Sequence, residues 1–201
     1  IGAAKLELDV ISCNAAVNAC GRGSEWRQAL SLLWEMSGAA VELDSISLSS
    51  GISACEKGRQ WQQGLALLDT LVDAKAEPEV ISYNAAVSAC EKGGEWIQAL
   101  ALLSRMGEAD LEFDVFSYAS GISACEKGGH WQQALSLLRE SVESSAEVDR
   151  VCYNAGMSAC GNAAQWQLAL LLLRELNQAI VDPNVISYTA TISACEKGGQ
   201  W

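Results

Sequence analysis

Six tryptophans, Trp26, Trp61, Trp96, Trp131, Trp166 and Trp201, follow one another at a constant step of 35 residues. Six cysteines, Cys20, Cys55, Cys90, Cys125, Cys160 and Cys195, keep the same step. Two residue types locked to one period mean that the chain is a single unit written about six times. A unit this short cannot bury an apolar face alone, so the copies must stack on one another. Whatever the chain does must then be presented once per copy, at the same point of a shared surface.

The copy from Val80 to Asp114 shows what the unit is. Tyr83, Ala86, Val87 and Cys90 form an i, i+3, i+4, i+7 stripe, the pattern of an amphipathic helix. Gly93 and Gly94 follow and read as a helix stop. A second stripe, Trp96, Ala99, Leu100, Leu103 and Met106, has the same spacing, and the polar stretch Gly107 to Glu112 leads into the next copy. Pro78 and Pro183 fall at equivalent connections, where they disturb no helix interior. Each copy therefore reads as helix, short turn, helix. The copies run Val10–Asp44, Ser45–Glu79, Val80–Asp114, Val115–Asp149 and Arg150–Asn184, with a partial copy from Val185 to Trp201 and the tail of an earlier one in residues 1–9. The expected fold is all-α, one continuous α-solenoid whose first helices line one surface of a right-handed superhelix.

Half of the residues are apolar and only two are proline, which supports an ordered core. No apolar run approaches the ~20 residues that span a bilayer. The chain opens on Ile1, shows no signal or transit segment and stops partway through a copy, so it reads as a fragment of a longer protein. Eight cysteines raise the question of disulfides or zinc. Periodic cysteines in stacked helices lie about 9–10 Å apart, beyond disulfide reach. No C-x-x-C pair is present and His130 is the single histidine. The thiols therefore read as small buried apolar residues in a reducing compartment, and no metal or cofactor is implied. His130 stands at a turn where other copies carry Gln60, Glu95, Gln165 and Gln200, and reads as a surface substitution.

The wording of the unit resembles the pentatricopeptide repeat. It matches in Val80-Ile-Ser-Tyr-Asn, in Cys90-Glu-Lys-Gly, in Gln98-Ala-Leu, in Met106, and in the junction Pro78-Glu79-Val80. The uniform length resembles the plain class of that family, over the whole chain. The resemblance implies binding of single-stranded RNA in a plastid or mitochondrion, one nucleotide per copy, as an adaptor in transcript processing, stability, editing or translation. It also implies which residues would do this. Apolar second residues, here Ile11, Ile46, Ile81, Phe116, Val151 and Ile186, would hold a base between successive copies. The same residues would serve as hydrophobic staples at the helix entry, and both roles stand open.

Base choice, by the same resemblance, lies with the fifth and last residues of a copy. The pairs are Asn14 with Asp44, Ser49 with Glu79, Asn84 with Asp114, Ala119 with Asp149, and Asn154 with Asn184; Thr189 opens a sixth. Asn with Asp implies uracil, Asn with Asn a pyrimidine with cytosine first, and Thr a purine. Ala119 has no side chain to hydrogen-bond a base, and Ser49 with Glu79 departs from the family's pairs. The terminal acids and amides equally suit N-capping of the next helix. Arg22, Lys57, Lys92, Lys127 and Lys197 recur near the end of the first helix, with Asn162 as the gap. There they would lie near RNA phosphates, or simply complement a helix C-terminus.

Charge points the other way. A formal net charge of −12 is the reverse of a nucleic-acid footprint. Glu56, Glu91, Glu126 and Glu196 directly precede four of the cations. The alternative reading is a protein-interaction scaffold, a structural subunit of a large organellar assembly such as a ribosome or photosynthetic complex. An enzyme is the weakest reading, because no nucleophile–base pair, metal cluster or phosphate loop is present in the sequence.

Overall fold

The computed structural model describes residues 10–38, 43–74, 78–144, 150–179 and 182–199. Residues 1–9, read as the tail of an earlier copy, and Trp201 lie outside them. Among the described residues the chain forms eleven α-helices and no strand: α1 (Val10–Arg22), α2 (Trp26–Gly38), α3 (Ser45–Lys57), α4 (Trp61–Asp73), α5 (Val80–Gly93), α6 (Trp96–Glu108), α7 (Val115–Gly128), α8 (Trp131–Glu143), α9 (Arg150–Asn162), α10 (Trp166–Gln178) and α11 (Val185–Lys197). Odd-numbered helices begin at the first residue of a copy and even-numbered ones at its tryptophan.

The turn between the two helices is the same everywhere. Its fifteenth residue, Ser24, Arg59, Gly94, Gly129, Ala164 or Gly199, has a positive φ of 55° to 80°. Only glycine adopts that conformation without a Cβ penalty, yet three copies use other residues. A six-to-one hydrogen bond closes the turn, as from Gln60 N to the Cys55 carbonyl at 2.8 Å and from Gln165 N to the Cys160 carbonyl at 2.8 Å. The glycine just before that residue has a second role. A Cβ at Gly93 would lie 2.6 Å from Trp61 Cδ1, and one at Gly128 would lie 2.6 Å from Trp96 Cδ1. Trp26, Trp61, Trp96 and Trp166 thus pack against the turn glycine of the following copy.

Contacts divide the chain into two compact units, residues 1–93 with α1–α5 and residues 94–201 with α6–α11. In the first unit α3 packs on α1 and α5 on α3, while α2 touches α1 and α3 and α4 touches α3 and α5. In the second, α7, α9 and α11 pack in succession, α6 meets α7, α8 meets α7 and α9, and α10 meets α9 and α11. Each unit is a stack of helix pairs, the packing of an all-α repeat solenoid.

Apolar side chains at fixed places in the copy make the core. The eighth residue, Val17, Ile52, Val87, Ile122 or Met157, is fully buried in five copies. Residue 27, Met36, Leu71, Met106 or Leu176, is equally buried, with Ser141 in the fourth copy bonded to the Leu138 carbonyl at 2.7 Å. In the second unit Ile122, Cys125, Leu138, Met157, Cys160 and Leu176 belong to one apolar cluster. All eight thiols are free, and six are buried. Burial pushes the Cys55, Cys125 and Cys160 thiols up to about 11, so at neutral pH they are protonated packing groups and not nucleophiles.

His130 is not the surface substitution that its turn position implied. It is half-buried and stacks on Trp96, ring centroids 3.7 Å apart. The partner lies in the preceding copy, which the local sequence around the turn does not reveal. No described helix is long and apolar enough to cross a membrane.

Candidate nucleic-acid interface

The second residue of each copy sits in the first turn of its odd-numbered helix, pointing away from the stack. Ile11, Ile46, Ile81, Phe116, Val151 and Ile186 are between 52% and 77% exposed. A residue serving only as a staple would be covered by its partner. Here six large apolar groups stand in water at one register, three in each unit, an arrangement that packing within the chain does not account for.

The fifth and last residues are brought together where the described residues allow the comparison. Asn14 Nδ2 donates to both oxygens of Asp44 at 3.2 Å. Asp44 in turn caps α3, its Oδ1 accepting from Ser47 N at 2.7 Å and from Ser47 Oγ at 2.7 Å. Ser47 Oγ also reaches Asn14 Oδ1, so its one proton is shared between the two acceptors and links the three residues in a ring. The second unit repeats the ring with amides alone. Asn154 Nδ2 lies 3.5 Å from Asn184 Oδ1, which caps α11 through Ser187 N at 3.1 Å, and Ser187 Oγ donates to Asn154 Oδ1 at 2.7 Å. Asp114 caps α7 in a capping box with Ser117, N to Oδ1 at 2.8 Å. The cap engages Asp44 Oδ1 while Asn14 reaches both oxygens, so capping holds the last residue of the copy at the rim of the next helix beside the fifth.

The remaining pairs differ. Ser49 shares a 2.7 Å hydrogen bond with Ser82, while Glu79 is exposed. Asn84, paired by sequence with Asp114, is buried. Ala119 is half-buried, and Asp149 lies outside the described residues. Thr189 is exposed, its hydroxyl donating to the Val185 carbonyl at 2.6 Å.

The third residue of the copy is what sequence reasoning missed. Ser47, Ser82, Ser117 and Ser187 are buried, and each bonds to the preceding copy's fifth residue, to its last residue, or to both. Its 35-residue recurrence was visible; its partner, 33 residues back, was not.

Burial raises the Asp44 pKa, but hydrogen bonds from the Ser47 side chain, the Ser47 N–H and Asn14 outweigh it, so the carboxyl lies below the usual aspartate value. A depressed carboxylate contributes stability above its unfolded-state pKa and loses it as pH falls through the folded one. Replacing Asp44 by alanine should cost about 1 kcal/mol at neutral pH. That difference from wild type should hold down to about pH 5 and shrink below about pH 4. Asp44→Asn, the residue used naturally at Asn184, should keep most of the cap, and its stability should follow a pH profile without this acid loss. Urea denaturation across that range checks both; a pH-independent gap for Asp44→Ala would show that the carboxylate is not held as described.

Two clefts open at this register, one in each unit. The first, about 230 Å³, is bounded by Ile46 and Ile81 and holds Ser49, Glu79 and Lys57. The second, about 360 Å³, holds Ile186, Thr189 and Lys197. Each thus combines an apolar second residue, a polar fifth residue and a cation, the elements needed to grip a base face, meet its edge and neutralise its phosphate.

Charge is sorted by element. The odd-numbered helices carry six cations (Arg22, Lys57, Lys92, Lys127, Arg150, Lys197) against four carboxylates (Glu56, Glu91, Glu126, Glu196), a balance of +2. The junction acids Asp44, Glu79, Asp114 and Asp149 bring this to −2. The interface is close to neutral while the chain as a whole stands at −12.

Comparison with known proteins adds to this geometry. The model of a pentatricopeptide repeat domain matches residues 136–198, and the model of the PPR repeat matches residues 11–39 and 81–111. No curated protein matches the chain. The crystal structure of the pentatricopeptide repeat protein PPR10 from maize superposes with a TM-score of 0.68 at 26% identity, over 94% of this chain and 27% of that one. PPR10 in complex with an 18-nt psaJ RNA element superposes with a TM-score of 0.72 at 21% identity, over 98% and 27%. The PPR domain of Arabidopsis thaliana protein-only RNase P 1, in complex with tRNA, gives 0.77 at 12% identity, over 90% and 96%. The chain spans about a quarter of the length of PPR10, 27%.

Proposed function

The chain belongs to the pentatricopeptide repeat family, and from that premise we propose that it is a single-stranded RNA-binding module taking one nucleotide per copy. The observation that carries the reading is the set of six second residues, all apolar and all more than half exposed. Folding gains nothing from that exposure, whereas a row of apolar wedges suits the faces of unstacked bases. The capped Asn14–Asp44 pair offers a carboxylate to the N3–H of uracil beside an amide donor. Asn154 with Asn184 offers amides only, which also suit cytosine. RNA bound in the PPR10 and RNase P 1 structures supports a nucleic-acid partner for the same fold.

The reading extends, by family resemblance, to an adaptor in organellar RNA metabolism, in plastid or mitochondrion. The near-neutral interface sets its strength: few net cations mean a shallow salt dependence and modest affinity. The test is fluorescence anisotropy with oligouridine, oligoadenosine and a duplex RNA of equal length. Micromolar binding of oligouridine, weaker binding of oligoadenosine and none of duplex is expected. Absence of binding to any single strand at low salt, with the helices intact by circular dichroism, would move the chain to the scaffold reading, which its −12 charge favours.

A further inference from the structure

Glu56, the twelfth residue of the second copy, is half-buried and accepts two hydrogen bonds on one oxygen, from Ser88 Oγ at 2.9 Å and from Lys92 Nζ at 2.7 Å. Ser88 and Lys92 are the ninth and thirteenth residues of the next copy. The first and fifth copies carry glycine at the twelfth place, Gly21 and Gly161. The copies that follow them present the same serine and lysine, Ser53 with Lys57 and Ser193 with Lys197, and these line the two clefts. Among the described residues Lys57 makes no hydrogen bond or ion pair, and Lys197 donates only to the uncharged Asn162, at 2.9 Å. Each cleft also holds one carboxylate, Glu79 or Glu126. The clefts with an available cation lie where glycine replaces glutamate.

We infer that the twelfth residue of a copy decides whether the lysine of the next copy can serve an RNA phosphate. Glu56 is an internal competitor that occupies Lys92, whereas Gly21 and Gly161 leave Lys57 and Lys197 to the ligand. The inference rests on the RNA-binding reading and refines it. A phosphate arriving at Lys92 must displace a carboxylate already in contact with the ammonium, exchanging one anion for another. A phosphate arriving at Lys57 meets an unpaired cation, and its neutralisation releases a condensed counterion from the RNA. RNA affinity is then set not by the number of lysines in the ladder but by which of them follow a glycine.

The full chain titrated with fluorescein-labelled oligouridine, at salt from about 50 to 200 mM, tests this. Glu56→Gln keeps the side-chain volume and an acceptor for Ser88 while removing the charge. It should steepen the slope of log K against log salt by about 0.7 and raise low-salt affinity about threefold. Gly21→Glu is the mirror variant. A Cβ there meets Ala54 Cβ at 3.5 Å, an ordinary contact, and the new carboxylate would face Ser53 and Lys57 as Glu56 faces Ser88 and Lys92. Its slope should flatten by about 0.7. Gly21→Ala fills the same space without charge and should keep the wild-type slope. Wild-type slopes in both charged variants, with RNA bound and thermal melts intact, would overturn the inference and leave the RNA-binding reading standing. A wild-type chain that binds no RNA would overturn both.

Discussion

Replacing Ile46 and Ile81 together by aspartate is expected to weaken oligouridine binding at least about tenfold, ~1.4 kcal/mol or more, while the fold is untouched. Both side chains are more than 60% exposed, at 62% and 66%, and both bound the first cleft. Exposed substitutions away from caps and core usually change stability by less than about 0.5 kcal/mol, or ~2 °C in a chain of this size. Aspartate in the first turn of a helix is, if anything, favoured by the macrodipole, and Ile46 and Ile81 are the second residues of α3 and α5. The loss of affinity has two sources. The apolar faces that would hold a base are gone, and two negative charges stand where the backbone phosphates must pass. Anisotropy and a thermal melt on the same sample separate the outcomes. Unchanged affinity would mean that RNA does not run past these residues. A melt lowered by many degrees would mean that the isoleucines serve packing after all, and the staple reading would replace the wedge.

How much of this was legible beforehand depended on where the partner of each residue lies. Contacts inside a copy are written in its own pattern: the stripe Tyr83, Ala86, Val87, Cys90 led directly to α5, and the Gly93-Gly94 pair to its end. Contacts between copies depend on how far one helix pair is offset from the next, which no period within a copy expresses. The bond from Ser187 to Asn154 spans 33 residues and that from Lys92 to Glu56 spans 36. Neither equals the repeat of 35 residues, so scanning equivalent positions finds neither. In the sequence Glu56 stands beside Lys57 and reads as its neutraliser, while in space it serves Lys92. His130 was misread for the same reason, since its stacking partner Trp96 is one copy back. Charge is legible in the sequence only as a sum. A total of −12 averages over elements that face different ways, and it hides odd-numbered helices whose own balance is +2.

The same dependence on neighbours gives the largest expected change in stability. Ile122 and Ile192 occupy the eighth place of the fourth and sixth copies, in helices of nearly identical sequence. Ile122 is fully buried, between α7's partners α8 and α9, in the cluster with Leu138 and Met157. Ile192 is 67% exposed. Ile122→Ala should therefore cost about 2–4 kcal/mol, the transfer of three carbons plus the cavity they leave. Ile192→Ala should cost less than about 0.5 kcal/mol. In a stack where each copy is stabilised mainly by its neighbours, the loss at Ile122 weakens its own pair and the contact with the next copy alike. Urea unfolding followed by tryptophan fluorescence and by circular dichroism should show the Ile122→Ala midpoint shifted far below wild type and the Ile192→Ala midpoint unmoved. Equal costs at the two positions would mean that Ile192 is covered in solution. Dependence of the wild-type midpoint on protein concentration would then show whether a second chain is what covers it, because association stabilises by mass action and packing within one chain does not.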